Sequence, residues 1–247
     1  MARVVVIGLA SDFGCQVQMT NMEDDLLDVL GTIDLSYWQL ASSGHMPASY
    51  DIAVVEGAVT TVEHVELLKQ LRSTAATVLT IGACAVTGGI PGLASAGSLE
   101  KRFDRVYGNF GDTVAPGRIS PLPVDEVIEV DYHVPGCPIQ PHEFVATLQR
   151  ALMGLSDRPP REPLCASCKM AENVCFYDQG RVCLGLMTRS GCGAKCVSLG
   201  RPCTGCRGIA DDANLEAAQD LLARRGMRVE DLTDALALYN SLSEALS

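Results

Sequence analysis

Eleven cysteines constrain this 247-residue chain more than any other feature of its sequence. Eight of them fall within the 42 residues from Cys165 to Cys206, in the pattern C-x2-C-x6-C-x7-C-x8-C-x3-C-x6-C-x2-C. Disulfides are rare in a reducing cytosol, and ordinary buried thiols would explain only one or two cysteines. The number and spacing therefore indicate metal ligands, and eight thiolates supply two sites of four.

The segment from Cys165 to Cys206 has almost no periodic apolar pattern. We therefore expect bound metal, rather than a hydrocarbon core, to organise its fold. A pair of structural zinc sites would satisfy the spacing as well as two iron–sulfur clusters do. Two arguments favour iron. The chain lacks the basic or aromatic surface that often accompanies zinc modules. A third group of cysteines outside this segment also suggests an electron relay rather than a structural site.

The first ~150 residues alternate between strand-like and helix-like patterns, which predicts an α/β fold with a doubly wound, mostly parallel sheet. The predicted strands are Arg3–Ala10, Ile33–Tyr37, Tyr50–Glu56, Ala76–Ile81 and Val127–Val134. The predicted helices are Gln16–Leu30, Thr61–Ser73, Pro141–Leu155 and, within a glycine- and proline-rich excursion over 90–124, Leu99–Tyr107.

A Pro-rich, charged stretch, Ser156–Pro163, is typical of a linker. It predicts two domains, residues 1–158 and 159–247. The tail from Ala213 to Leu246 has apolar residues at helical spacing, so the second domain is predicted to end in helices.

Three further cysteines each follow a different predicted strand: Cys15, Cys84 and Cys137. The carboxyl ends of parallel strands meet at one edge of the sheet, where ligands bind, so these thiols are expected to converge. Glycine lies beside each of them and allows a bulky ligand to approach the backbone. Burial as three ordinary core cysteines is the alternative, although loop positions beside glycine are poor places for core residues.

Three sites of four ligands need twelve ligands, and the chain has eleven cysteines. A C-x2-C pair would place a partner for Cys15 at position 12, which is Asp12. A carboxylate binds iron, although it is a harder ligand than thiolate. The alternative is that Asp12 only caps the following helix, where Asp is favoured.

Charge and hydropathy exclude some functions. The formal net charge of −11 repels phosphates, so no nucleic acid partner is expected. No apolar run reaches the ~18 residues of a membrane span, and the first strand is too short for a secretory signal, so a cytoplasmic location is expected.

Several motifs together resemble the small, electron-transferring subunit of cytosolic group 3 nickel–iron hydrogenases, above all the delta subunit of NADP-linked hydrogenases or sulfhydrogenases. The resemblance covers nearly the whole chain. Its motifs are FGCQ at 13–16, VVEGAV at 54–59, IGACAVTGG at 81–89, PGCP at 135–138, CASC at 165–168, CLGLMTRSGCGAKC at 183–196 and PCTGCRG at 202–208.

The resemblance implies a flavodoxin-like domain that holds a proximal iron–sulfur cluster, followed by a small domain that holds two more. The implied proximal ligands are Asp12, Cys15, Cys84 and Cys137. The implied medial ligands are Cys192, Cys196, Cys203 and Cys206. The implied distal ligands are Cys165, Cys168, Cys175 and Cys183. Because Cys196 adds a fourth medial thiolate, [4Fe–4S] clusters are expected throughout, except that Asp12, where the family usually has cysteine, leaves the proximal type open.

The resemblance also implies partners and a role. Hydrogen would be split at a nickel–iron centre in a separate large subunit, so this chain would contain no catalytic residue, and electrons would leave toward flavin- and iron–sulfur-containing diaphorase subunits. Phe13, Val17 and Met19 are candidates for the contact with the large subunit, or else ordinary core residues. Glu56, at a strand end, would assist proton movement or simply accept a backbone hydrogen bond.

Three other functions fit parts of the pattern. A subunit of a quinone-reducing complex has the same ancestral fold, but those relatives carry adjacent cysteines near the proximal site and lack the downstream eight. A zinc-stabilised interaction module would have no redox role and no colour. A stand-alone ferredoxin would not need the large α/β domain. The terminal acceptor, whether NADP, NAD, F420 or ferredoxin, is expected to be determined by other subunits.

Overall fold

The computed structural model describes residues 1–22, 24–95 and 97–243. Its strands are β1 Ala2–Gly8, β2 Ile33–Trp38, β3 Ile52–Glu56, β4 Val59–Thr61, β5 Thr77–Ile81, β6 Arg118–Leu122 and β7 Tyr132–Val134. Its α-helices are α1 Gly14–Thr20, α2 Asp24–Thr32, α3 Val62–Thr74, α4 Gly82–Thr87, α5 Gly89–Gly92, α6 Leu99–Tyr107, α7 Gly111–Val114, α8 Pro141–Leu152, α9 Cys165–Met170, α10 Lys195–Ser198, α11 Leu215–Arg224 and α12 Glu230–Asn240.

The main sheet has five strands in the order β2-β1-β3-β5-β7, and every neighbouring pair is parallel. This arrangement confirms the predicted doubly wound sheet, and its strand order is that of flavodoxin-like folds. The direction of winding reverses between β1 and β3. The carboxyl ends of β1, β3, β5 and β7 therefore form one continuous edge, which is the position expected for a ligand site.

Apolar side chains cover both faces of the sheet. In β1, Val4 and Val6 belong to one buried cluster, and Val5 and Ile7 belong to the cluster on the opposite face. A strand buried on both faces is expected to be a continuous β-branched run, as β1 is. Helix α8 packs on the first face through residues such as Phe144, and α3 packs on the second.

Two predicted elements are wrong in extent. The helix predicted over Gln16–Leu30 is two helices, because α1 ends at Thr20, where Asn21 caps it with its N–H bonded to the carbonyl of Val17. The strand predicted over Val127–Val134 is shortened to β7. Val124–Glu126 forms a 3-10 turn, and the N–H groups of Val127 and Ile128 bond back to the Val124 carbonyl at 3.0 and 3.1 Å.

The excursion over 90–124 contains the predicted helix with the predicted bounds, Leu99–Tyr107. It also contains an element that the sequence did not predict. Strand β6 pairs antiparallel with β4, forming a separate two-stranded sheet. This strand is hard to recognise in the sequence because it is short and contains proline at position 121, and proline is depleted in strands.

The cysteine-rich segment has an apolar core, so the expectation that metal alone organises it is wrong. The tail predicted as helical forms α11 and α12, which pack over this segment with Leu222, Leu232 and Leu236 buried. They meet buried residues of the segment such as Phe176 and Leu184. The core therefore comes from two distant stretches of sequence. The last predicted tail residues, beyond 243, lie outside the described residues.

Helix α12 contacts both regions of the chain. The Thr87 hydroxyl of the α/β part donates to the Tyr239 carbonyl at 2.7 Å, and the Asn240 amide donates to the carbonyl of Gly205 in the cysteine-rich segment at 3.1 Å. The described helices include none that is long and apolar enough to cross a membrane.

Candidate metal centres

Three cysteines lie at the carboxyl edge of the main sheet, as predicted. Cys15 is in α1 after β1, Cys84 is in α4 after β5, and Cys137 follows β7. The loops that carry them touch: the Ala83 N–H donates to the Gly136 carbonyl at 2.7 Å, and a Cβ placed on Gly82 would lie 2.6 Å from the Cys15 sulfur. Only a glycine permits this approach, so the sequence G-A-C is needed for the loop to fit beside Cys15.

These thiols and Asp12 interact electrostatically. Burial raises the pKa of Cys84 to about 11, and the negative charges of Cys137 and Asp12 add to the effect. Burial, then Glu56, raise the pKa of Cys15, with smaller contributions from Cys137 and Cys84. Cys84 is thus within electrostatic range of the other three residues of the predicted proximal set. Several buried anions are stable together only beside a positive charge, which iron would supply.

Asp12 lies one residue before the N-cap position of α1, which is Phe13, so the structure does not place it as the N-cap residue. Its Oδ1 accepts the N–H of Gly14, the first residue of α1, at 3.0 Å. Its side chain is exposed, and its charge still reaches Cys84. One carboxylate oxygen therefore accepts a hydrogen bond from the start of α1. Ligation of iron by Asp12 stays a prediction.

Glu56 ends β3 between the strands that lead to Cys15 and Cys84. Its carboxylate is buried and accepts the N–H groups of Cys15 at 2.9 Å and of Gln16 at 3.4 Å. Burial raises the pKa of Glu56, and the bond from the Cys15 backbone opposes that rise. Glu56 thus accepts backbone hydrogen bonds, as one of its two predicted roles requires, and it fixes the first turn of the helix that carries Cys15.

Replacing Glu56 by alanine is expected to lower the free energy of unfolding by about 2–3 kcal/mol, since two buried N–H groups lose their acceptor. Replacement by glutamine retains an acceptor oxygen and is expected to cost about half as much. Chemical denaturation of the two variants beside the parent chain measures both values. Equal stability of the alanine and glutamine variants would show that these hydrogen bonds contribute little.

The eight downstream cysteines form two groups of four. Burial, followed by the charges of Cys183, Cys168 and Cys175, raises the pKa of Cys165 to about 11. The second group forms around Cys206. Burial raises its pKa to about 11, and the charges of Cys192, Cys137 and Cys196 add to this. Burial also raises the pKa of Cys203, and the charges of Cys183, Cys206 and Cys192 add to that rise, so Cys203 interacts with both groups. These interactions are compatible with the two sets that the resemblance implies, and both the division into sets and the binding of clusters stay predictions.

The three thiol groups are connected in series, and this series is called the thiol line below. The Cys203 N–H donates to the Cys183 sulfur at 3.2 Å, which joins the Cys192–Cys206 group to the Cys165–Cys183 group. At its other side, the backbone of Cys137 hydrogen-bonds to the Cys206 thiol. The Cys192–Cys206 group therefore lies between the other two, so the line begins at the sheet edge and ends at Cys165–Cys183.

The donor set fits iron–sulfur clusters. Backbone N–H groups point at sulfur: the Gly205 N–H donates to Cys203 at 3.4 Å, and the backbones of Ile139 and Ile90 bond to Cys15 and Cys84. Such bonds tune cluster potentials. Across residues 1–22, 24–95 and 97–243, no three His, Cys, Asp or Glu side chains are arranged to share a single metal ion.

Two residues beside these groups are not among the predicted site residues, although Arg207 lies within the PCTGCRG motif. Arg207 follows Cys206 and is only 2% exposed, with its guanidinium paired to Glu143 of α8. Tyr239 of α12 lies within electrostatic reach of Cys137, Cys206 and Cys84, and burial raises its pKa. An arginine after the last cysteine would normally be assigned to the surface, and a tyrosine in the tail has no visible link to position 137.

The three candidates for the large-subunit contact have different positions. Met19 is buried in the core of the sheet, so the interface prediction is wrong for it. Phe13 is half-buried, and its ring packs so closely on Gly8 that a Cβ built on Gly8 would lie 2.6 Å from a ring carbon. Val17 is exposed and remains the candidate.

Comparison with known proteins gives the family. A family model described as NADH ubiquinone oxidoreductase, 20 Kd subunit, matches residues 13–151. The chain belongs to this family. That match ends before the first of the eight downstream cysteines, so it is compatible with both the hydrogenase and the quinone-reductase interpretations.

Relatives that extend through the cysteine-rich segment are hydrogenase subunits. The chain is 32% identical to a subunit of the F420-non-reducing hydrogenase vhu of Methanocaldococcus jannaschii, over 99% of this chain and 96% of that protein. It is also 32% identical to the delta subunit of sulfhydrogenase 2 of Pyrococcus furiosus, over 85% of this chain and 87% of the relative. The resemblance to hydrogenase small subunits is therefore confirmed.

A solved structure supports the fold. One chain of an NAD+-reducing [NiFe]-hydrogenase in the H2-reduced state superposes with a TM-score of 0.53 and 27% identity, over 64% of this chain and 95% of that chain. The α/β architecture and its parallel sheet are thus those of a hydrogenase subunit.

Proposed function

We propose that this chain is the electron-transferring small subunit of a nickel–iron hydrogenase. It would relay electrons between the nickel–iron centre of a large subunit and diaphorase-type partner subunits. The observation that carries the proposal is the line of three thiol groups from the sheet edge to the end of the cysteine-rich segment. A line of redox sites suits transfer over a distance better than it suits a structural staple.

The residues of the three groups would hold three iron–sulfur clusters. Asp12, Cys15, Cys84 and Cys137 would hold the proximal one, Cys192, Cys196, Cys203 and Cys206 the medial one, and Cys165, Cys168, Cys175 and Cys183 the distal one. The clusters, when bound, supply one-electron redox chemistry. The chain itself fixes the spacing of the sites, directs N–H groups at sulfur and excludes water from Cys15 and Cys203, which are buried.

The proposed location is the cytoplasm, where eleven thiols remain reduced and available to iron. The proposed acceptor side is a flavin- and iron–sulfur-containing subunit set. Acceptor identity among NADP, NAD, F420 and ferredoxin would then depend on those subunits, and no nucleic acid partner is proposed.

Anaerobic purification through a tag on this chain tests the proposal. We expect a brown complex that contains nickel and, from this chain alone, about twelve iron atoms. Colourless protein with bound zinc would support the zinc module instead. Iron without nickel, together with quinone-linked partner subunits, would support the quinone-reducing alternative that the family description leaves open.

Replacing Asp12 by asparagine separates its two roles, because the amide oxygen still accepts the Gly14 N–H while the negative charge is lost. If Asp12 binds iron, we expect loss of the proximal EPR signal or a shift of its potential on the order of 100 mV. Asp12→Cys is expected to give a proximal cluster with four thiolate ligands, whose potential differs from that of the parent. Unchanged spectra and potentials in both variants would leave Asp12 with only its hydrogen bond from the Gly14 N–H.

A further inference from the structure

Three large apolar side chains of the cysteine-rich segment are exposed. Met170 is 86% exposed, Val174 is 68% exposed and Leu199 is 73% exposed. The Asn173 amide donates to the Ser198 hydroxyl at 3.0 Å, which holds the loop after α9, and with it Val174, against the end of α10, where Leu199 lies. Large apolar side chains grouped in this way mark an interaction surface.

Three basic residues lie on the same segments: Lys169 precedes Met170 in α9, Lys195 begins α10, and the backbone N–H of Arg201 donates to the Cys196 carbonyl at 2.9 Å. All three are exposed, and within the described residues none forms an ion pair. The six residues Lys169, Met170, Val174, Lys195, Leu199 and Arg201 are called the basic-rimmed face below.

Basic residues outnumber acidic ones in this region, whereas acidic residues outnumber basic ones in the chain as a whole. Residues 165–206 contain five basic and two acidic residues, in a chain with a formal charge of −11. Of the two acids, Asp178 is paired with Arg225, which leaves Glu172 as an acid beside the face. The expected lack of a basic surface is therefore wrong, and the preference for iron over zinc rests on the thiol line and on the relatives.

Two candidate ligands are exposed within this surface. Cys175 follows Val174, and Cys196 follows Lys195, so each of the two downstream thiol groups reaches solvent here. Electron transfer needs close approach of donor and acceptor. A membrane surface would also suit basic and apolar residues, but it would gain nothing from exposed redox ligands.

We propose that the basic-rimmed face docks an acidic redox protein, which exchanges electrons with the end of the thiol line. This rests on the proposed function and adds the chemistry of the partner. An apolar centre with a polar rim is the usual anatomy of a protein interface. Complementary charge steers association and makes it weaken with salt. The partner surface is accordingly expected to be acidic around an apolar patch.

The test compares two variants of the same complex. The face variant carries Lys169→Glu, Lys195→Glu and Arg201→Glu. The control variant carries the same charge change on α3 and α6, at the exposed residues Lys69, Lys101 and Arg105. Each complex is purified anaerobically through a tag on this chain, and its subunits are counted by native mass spectrometry at low and at high salt.

At low salt we expect the parent and control complexes to retain the acceptor-side subunits. The face variant is expected to lose them, with affinity lowered about 10- to 100-fold. A second variant, Met170→Gln with Leu199→Gln, is expected to weaken retention without changing its salt dependence. The iron and nickel contents and retention of the large subunit report separately on the proposed function.

Three results would overturn the docking proposal while leaving the proposed function in place. The first is full retention of acceptor-side subunits by the face variant. The second is loss of the large subunit instead, which would assign the face to that interface. The third is binding of the parent complex to vesicles of anionic phospholipid that the face variant loses. A parent complex without iron and nickel would instead reject the proposed function.

Discussion

Replacing Arg207 by methionine is expected to lower the free energy of unfolding by about 3–5 kcal/mol, because it leaves a largely buried carboxylate without its partner. The Arg207 guanidinium pairs with both oxygens of Glu143, at 2.5 and 2.7 Å. It also donates to the carbonyls of Pro135 at 2.8 Å and Ser190 at 2.6 Å. For a chain of this size the melting temperature should fall by about 10 °C.

The same change is expected to disturb the thiol line. Pro135 and Ser190 each lie two residues before a candidate ligand, Cys137 and Cys192, and Arg207 itself follows Cys206. One side chain therefore fixes the separation of the sheet-edge group from the middle group. If the proposed clusters are bound, we expect the EPR signals of the proximal and medial clusters to broaden or shift in the variant, in addition to the loss of stability.

Two controls separate the causes. Arg228→Met removes an exposed arginine, which lies 3.7 Å from Glu230, and is expected to cost at most about 0.5 kcal/mol. The double variant Arg207→Met with Glu143→Met replaces the buried pair by apolar groups and should recover much of the stability. If it recovers stability but the EPR signals stay altered, Arg207 positions the ligands independently of its ion pair. A wild-type melting temperature for Arg207→Met alone would contradict the prediction.

The α/β part was predictable because each of its signals is local. The run of Val4, Val5, Val6 and Ile7 forms a strand with two buried faces, and strands that alternate with helices allow few topologies. The convergence of Cys15, Cys84 and Cys137 followed from the same rule, since each thiol comes directly after a strand of a parallel sheet. Local pattern and topology were enough to bring three distant positions together.

The contacts that join the two regions were not predictable from sequence. Arg207 pairs with Glu143 across 64 residues, and the Thr87 hydroxyl bonds to the carbonyl of Tyr239 across 152. No periodic pattern in the sequence indicates such pairs. The absence of an apolar pattern in Cys165–Cys206 was also misleading, because α11 and α12 supply the missing half of that core. The chosen boundary between residues 158 and 159 stays a prediction.

Replacing Gly82 by alanine is expected to prevent assembly of the proximal site. A Cβ at this position would lie 2.6 Å from the Cys15 sulfur, well inside van der Waals contact. Gly82 also has φ +85°, a conformation that costs an L-residue about 1–2 kcal/mol. Clash and strain together should cost about 3 kcal/mol or more, and the displaced thiol should lose its place in the ligand set. Iron content and the proximal EPR signal measure the effect.

Two glycines elsewhere separate the contributions. Gly154 has φ +65° and open space around it, so Gly154→Ala measures backbone strain without a clash. Gly31 lies in α2 with ordinary φ and no neighbour within 4 Å, so its alanine variant should gain about 0.5–1 kcal/mol from helix propensity. If Gly82→Ala loses only as much stability as Gly154→Ala and retains its iron, the loop has room to move away from Cys15. The close approach would then be a consequence of the packing, and the proximal ligands would not depend on glycine at position 82.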